Sequence, residues 1–300
     1  MRILKNWFFL PIAALIVACE PASVALLEPD PRVAAIHEQA VFADMHAHPS
    51  RFHRRNIEGI AADEIDLYRR STMDLVVANI SSDMAYDGGY ENRDGTKIEK
   101  GRYRPVPGET YALSADRLAR LQTTFDSGYA VHADSPMSVL EARKQGQVAI
   151  MPALEGADAL EGDIGKVEEM YDNGLRLIQL IHFRNNELGH TQTWPYSPGG
   201  LTEFGHQVVR EANRLGLIID LAHANEETIA DVLALSRHPV SFSHGGVRKY
   251  TDHDRAVTDE HANFHAIAVE LLKRGYDDES VGKVMGGNFF RVWETVSQVR

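Results

Sequence analysis

The 300-residue chain has one cysteine, Cys19, so no disulfide can form within it. Cys19 also ends the apolar N-terminal segment, which excludes a cysteine nucleophile in the rest of the chain. Basic residues are in deficit, with 31 Lys and Arg against 43 Asp and Glu and a formal net charge of −12. That balance leaves no basic face for phosphates and argues against a nucleic-acid partner. No glycine-rich phosphate loop follows the first apolar run, and no G-x-S-x-G elbow occurs. Short-period repeats and low-complexity tracts are absent as well.

The N-terminus reads as an export signal. Arg2 and Lys5 give a short positive region, and Trp7–Val17 is an apolar stretch too short for a comfortable membrane span. Ile16-Val17-Ala18-Cys19 resembles a bacterial lipoprotein box. Residues 1–18 are therefore expected to be a cleaved signal peptide, with Cys19 as the lipid anchor. The competing reading is an incidental cysteine in an ordinary or uncleaved signal. Lipidation places the protein on the periplasmic side of a bacterial envelope, and Glu20, where an aspartate is associated with inner-membrane retention, points to the outer membrane. Residues 19–40 read as a tether and first helix, and 41–300 as one domain.

Within that domain, five apolar runs end in a histidine or a glutamate. They are Val41–His48, Val148–Glu155, Leu175–His182, Gly216–His223 and Pro239–His244. A sixth run, Asp74–Ser81, has no such ending. Helical patterns lie between them at Arg32–Ala40, Asp63–Arg70, Ser114–Phe125, Pro136–Gln145, Ile164–Asn173, Thr202–Leu215 and Glu226–Ser236. Two more, Ala266–Arg274 and Asp278–Val296, close the chain. Alternation of this kind implies βαβ units and a parallel sheet. The expected fold is an α/β TIM-type (β/α)8 barrel with about six recognisable strands, the last two missing. A parallel barrel gathers its strand ends on one rim, where such enzymes place their active sites. The polar stretch Gly88–Gly108 reads as a long loop.

His46-Ala47-His48 puts two imidazoles on the same side of a strand, because side chains alternate with period two. Glu155 ends a buried run, where a lone carboxylate is costly unless paired or bound to a cation. His223 and His244 are natural nitrogen ligands for zinc. A carboxylate can also bridge two cations. His182, followed by Phe183-Arg184-Asn185-Asn186, is open to either metal or substrate.

In order along the chain, these residues resemble the membrane (renal) dipeptidase family of zinc metallopeptidases. The resemblance is carried by Asp44-Met45-His46-Ala47-His48-Pro49, Glu155-Gly156 and Ile181–Asn186 followed by Glu187-Leu188-Gly189. It continues through Gly200–Gly205, Ile219–His223, Ser243-His244, Leu271–Tyr276 and Gly286–Val292. It implies a binuclear zinc site in which His46 and His48 hold one ion, His223 and His244 the other, and Glu155 bridges them. It also implies that His182 contacts the substrate, that Arg255 meets the substrate carboxylate, and that the substrate is a short peptide. Two departures from the family pattern stand out. Position 48 is histidine where the commonest pattern has aspartate. The last strand, which in the family delivers a proton-shuttling aspartate, is missing; Asp252, Asp254 and Asp259 are the nearby carboxylates. A six-strand barrel must reseal, gape or pair with a second copy. Three functions follow: zinc-dependent dipeptide hydrolysis, a metal- or peptide-binding pseudoenzyme, or a related amidohydrolase or lactonase.

Overall fold

The computed structural model describes residues 30–49, 59–83, 86, 104–192, 197–245 and 264–298. The leader and Cys19, most of the Gly88–Gly108 loop, and Asp252, Asp254, Arg255 and Asp259 lie outside the described residues.

The elements alternate as the sequence predicts. They run α1 (Pro31–Gln39), β1 (Ala43–Ala47), α2 (Ala62–Arg70), β2 (Leu75–Ser81), α3 (Glu109–Asp126), β3 (Val131–His132) and α4 (Pro136–Lys144). They continue with β4 (Ala149–Glu155), a 3-10 turn (Ala157–Leu160), α5 (Gly165–Asp172), β5 (Leu177–Gln179), α6 (Glu203–Leu215), β6 (Ile218–Asp220) and α7 (Glu226–Leu235). The chain ends with α8 (Phe264–Lys273), α9 (Asp278–Gly282), a π turn (Lys283–Gly287) and α10 (Asn288–Ser297).

Every strand pair is parallel, in the order β1-β2-β4-β5-β6. The sheet curls into a half-barrel. β2 and β4 pair over seven rows, from Leu75 with Ala149 to Ser81 with Glu155. β5 joins β4 over three rows and β6 joins β5 over three. The two-residue β3 runs beside the first half of β4, on the edge that β5 takes further along. It is too short to show a periodicity in the sequence. The expected strand Pro239–His244 contracts to one bridge, Ser241 with Asp220. Two hydrogen bonds hold it, Ser241 N to Ile219 O at 2.8 Å and Leu221 N to Ser241 O at 2.9 Å. Pro239 has no N–H to extend the ladder.

Helix boundaries follow local chemistry. Ser135 caps α4 in a reciprocal pair with Ser138, Thr202 caps α6 and Asn225 caps α7. Gly216 ends α6 in the left-handed region (φ 76°) and turns the chain into β6.

One face of the sheet packs on the surrounding helices. Ile150 and Leu154 of β4, Val76 and Ile80 of β2, Ile178 and Ile219 meet Tyr68, Leu118, Leu121, Val167, Val208 and Val232. The other face, carrying Leu75, Val77, Ala149, Met151, Ala153, Leu177 and Ile218, meets Phe289, Phe290, Trp293 and Val296 of α10 and Val139 and Ala142 of α4. Thus α10 touches both outer strands, β1 and β6. Its entry depends on Gly286 (φ 152°), where a Cβ would lie 2.5 Å from Ala43 N and 2.6 Å from Val41 O. At its other end Val296 O approaches Gly216. These contacts fall where β1 and β6 begin, so α10 spans that end of the half-barrel from edge to edge. The expected single stretch Asp278–Val296 is accordingly broken at Gly286.

Candidate metal centre

The opposite ends of the strands carry the polar residues. Odd-numbered residues of β4 share a face, so Glu155 points the same way as Met151 and Ala153, into the concave side. It is 1% exposed. Its Oε1 lies 3.1 Å from His46 Nε2, 3.1 Å from His182 Nε2 and 4.0 Å from His244 Nε2. Its Oε2 lies 3.2 Å from His48 Nε2 and accepts the Ser81 hydroxyl at 2.5 Å. Burial pushes the Glu155 carboxyl up, but hydrogen bonds from His182 and His46 outweigh it and hold it well below the usual range.

The four expected histidine ligands converge in pairs. His46 and His48 bring their Nε2 atoms within 3.0 Å, and His223 and His244 within 2.8 Å. Two nitrogens on one tetrahedral zinc would stand about 3.3 Å apart, given Zn–N bonds of about 2.0–2.1 Å. Both pairs are near that spacing, with the Glu155 carboxylate between them. Three overlapping groups have their candidate donor atoms within 4.8 Å of one another: His46–His48–Glu155, Glu155–His223–His244 and His46–Asp220–His244. The donor set fits divalent cations. Burial, with the neighbouring imidazole of His46, pushes His244 down to about 3. Its ring is therefore neutral at physiological pH, the form that ligates.

The two sides of the cluster are held differently. Glu155 ends the seven-row ladder of β2 and β4, and His46 lies in β1 where its register with β2 shifts between Asp44 and Ala47. His223 and His244 follow the three-residue β6 and the single bridge at Ser241, and side-chain ties replace the ladder. Asp220 Oδ1 accepts Ala222 N at 3.1 Å and Ser243 N at 3.0 Å. The Ser243 hydroxyl meets His244 Nδ1 at 2.9 Å. Thr191 Oγ1 donates to His182 O at 2.7 Å and His223 O at 3.2 Å. His223 itself is in the left-handed region (φ 66°), a conformation that costs a non-glycine residue about 1 kcal/mol or more.

His182 meets Glu155 through Nε2 and is held at its other ring nitrogen by a partner the sequence reading left without a role. Asp83, just past β2, accepts His182 Nδ1–H at 2.7 Å on Oδ1 and Phe183 N at 3.1 Å on Oδ2. Burial pushes the His182 ring down, but Asp83 and Glu155 outweigh it and lift it to about 9. Asp158, in the turn after β4, is buried against Arg184 at 2.6 Å and Asn186 at 3.2 Å. Burial and the charge of Asp83 push Asp158 up to about 6. Arg184 also stacks on Tyr86, 3.8 Å from its ring centre.

Of the residues read from the sequence, His46, His48, Glu155, His182, His223 and His244 come together. Asp83, Asp158 and Asp220 are the additional carboxylates around them. Their signal was position: each stands at or within three residues of the C-terminal end of a strand, as the ligands do.

The fold and site define a parallel α/β half-barrel with a metal-capable histidine–carboxylate cluster on its rim. The family model for membrane dipeptidase (peptidase family M19) matches residues 115–264. The chain belongs to this family. The dipeptidase verJ of Clonostachys rogersoniana is 31% identical over 155 residues, which are 49% of this chain and 40% of that protein. The chain thus spans well under half the length of this curated relative. Among solved structures, the probable dipeptidase PvdM from Pseudomonas aeruginosa superposes with a TM-score of 0.69 at 17% identity, covering 89% of this chain and 98% of that one. A metallo peptidase from Rhodobacter sphaeroides, liganded with a phosphinate mimic of the dipeptide L-Ala-D-Ala, gives 0.56 at 20% identity, over 79% and 72% of the two chains. At these identities the likeness to the two structures is one of fold.

Proposed function

We propose that this chain is a zinc-dependent dipeptidase, with His46 and His48 holding one ion, His223 and His244 a second, and Glu155 shared between them. The carrying observation is the convergence of two imidazole pairs on one buried carboxylate, in a chain of the membrane dipeptidase family. Bound cations supply a Lewis acid and acidify water for attack on a carbonyl.

The chain's own groups do the rest. Glu155 enters as an anion, with Ser81 fixing one oxygen. Asp83 accepts the Nδ1–H of His182, so Nε2, 3.1 Å from Glu155 Oε1, is the edge facing the rim. With Glu155 drawn to the cations, the Nε2 edge would be free to meet the carbonyl oxygen of the scissile bond, where an N–H donor stabilises the charge that builds. Arg255 is assigned to the substrate's free carboxylate on the strength of the family resemblance. The dipeptidases among its relatives support a dipeptide as substrate.

The test is hydrolysis of a dipeptide panel by zinc-loaded protein, including peptides with a C-terminal D-residue. Turnover should exceed that of Glu155→Ala for at least one peptide; equal rates across the panel would sink the reading. A second reading is a protein that binds cation and peptide without turnover. It is motivated by the sequence, which lacks the family's last strand and its proton-shuttling aspartate. Tight zinc and dipeptide binding without hydrolysis would select it. We further assign the chain to the periplasmic side of the envelope, anchored through Cys19. Acyl labelling that survives in Cys19→Ser would contradict that assignment.

A further inference from the structure

Phe183 stands one residue past His182, in the loop that follows β5. Its ring lies against two imidazoles of the cluster, with centroids 3.9 Å from that of His182 and 5.2 Å from that of His223. Those two rings meet edge to face at 4.7 Å. His182 and His223 are 3% and 6% exposed, whereas Phe183 is 38% exposed. The phenyl ring is therefore the outer layer over both histidines, and an incoming molecule meets it beside them.

A lone exposed apolar side chain is ordinary on a protein surface. Phe183 differs in being held. Asp83, itself buried, accepts the His182 ring at 2.7 Å on one oxygen and the Phe183 backbone N–H at 3.1 Å on the other. One carboxylate thus fixes in a single geometry the imidazole assigned to the scissile carbonyl and the aromatic ring beside it. The loop beyond is pinned as well, by Thr191 N donating to Asn185 Oδ1 at 2.8 Å and Asn186 Nδ2 to Leu180 O at 2.9 Å. A ring held this way offers apolar surface at little ordering cost. A carbonyl oxygen that reaches His182 Nε2 brings the first residue of the peptide with it, because that residue's Cα is bonded to the carbonyl carbon. Its side chain falls closer to the reacting carbon than that of the second residue, which lies beyond the amide nitrogen.

We infer that Phe183 is a specificity-determining residue, whose ring packs against the first side chain of the dipeptide and selects bulky apolar or aromatic groups there. The inference rests on the dipeptidase reading above and deepens it by naming a substrate class. Glycine offers nothing to pack on the ring, and a charged side chain would lose water against it without gaining a partner.

The test is kcat/KM for Gly-Ala, Leu-Ala and Phe-Ala, measured on zinc-loaded wild-type protein and Phe183→Ala with bound zinc determined in both. Wild-type protein should prefer Leu-Ala and Phe-Ala to Gly-Ala. Phe183→Ala should reduce that preference about 3–10-fold, the range a single aromatic contact supports. The ratio isolates the contact. A ring that merely supports His182 and His223 lowers all three peptides by one factor and leaves the preference intact, and that result overturns the inference. A loss of preference confined to Ala-Leu and Ala-Phe against Ala-Gly overturns it too, since the second side chain would then lie on the ring. If wild-type protein hydrolyses no dipeptide, the dipeptidase reading falls and the inference with it; hydrolysis with an unmoved ratio sinks the inference alone. Should Phe183→Ala not fold, Phe183→Leu is read by the ratio of Phe-Ala to Leu-Ala. That ratio should fall when the flat ring is lost, and an unchanged ratio overturns the inference.

Discussion

The two ends of the half-barrel are built from opposite chemistries. Where the strands begin, the concave side is filled by Leu75, Val77, Ala149, Leu177 and Ile218 against Trp293, Phe289 and Phe290. Where they end, it holds four imidazoles, Glu155 and Asp220. The apolar end needs only shape and burial, so one amphipathic helix closes it from β1 to β6. The polar end needs every donor aimed, and it spends hydrogen bonds from Ser81, Asp83, Thr191 and Ser243 on aiming them. Stability should therefore respond to one end and chemistry to the other.

The largest effect is expected at the polar end. Glu155→Ala removes the carboxylate that three of the four ligand histidines approach. Hydrolysis should fall by about 10²–10⁴-fold or more, the scale of losing a positioned catalytic group. A dipeptide assay with matched metal loading measures it.

Trp293→Ala probes the apolar end. Trp293 is fully buried, and such truncations cost about 3–5 kcal/mol. Urea unfolding should show that loss, while the fraction that remains folded keeps its metal stoichiometry. Equal losses of stability and metal affinity in this variant would erase the distinction between the ends.

Thr191→Val tests the side-chain ties that replace the ladder on the His223 side. Two buried carbonyls lose their shared donor, costing about 1–3 kcal/mol. Zinc affinity should fall as well, because His223 loses its anchor. An unchanged affinity would show that the strand ends alone position the ligand.

The smallest effect is a pH slope. Burial lifts Asp158 to about 6, above its unfolded value of 3.8. The folded chain then holds a proton that the unfolded chain has released. The stability this contributes is fully present below about pH 4, is lost as pH rises to about 6, and does not change above. Asp158→Asn should flatten stability between pH 4 and 6, as read by denaturation midpoints.

The sequence made one end far more legible than the other. The β4 run Ala149–Glu155 is apolar throughout because both faces of the strand are covered, and its terminal glutamate stood out for that reason. His46 and His48 were visible as an H-x-H after such a run. The Pro239–His244 run was read as a strand because it is apolar and ends in histidine, yet only Ser241 pairs. Ladder formation there depends on a neighbour, and no periodicity encodes one. The roles of Asp83 and Asp220 were hidden for a related reason. Each acts through a partner distant in sequence: His182 is 99 positions from Asp83, and Ser243 is 23 from Asp220. The bridging of the open end by α10 was equally invisible, since an amphipathic pattern shows that a helix is buried but not what it covers.

The most direct test of the metal centre is a side-by-side measurement of bound zinc and dipeptide turnover in wild-type protein and Glu155→Ala. Wild-type protein should hold two zinc ions per chain and hydrolyse a dipeptide, and Glu155→Ala should lose zinc and turnover together. Undiminished zinc and turnover in Glu155→Ala would contradict a centre organised around this carboxylate.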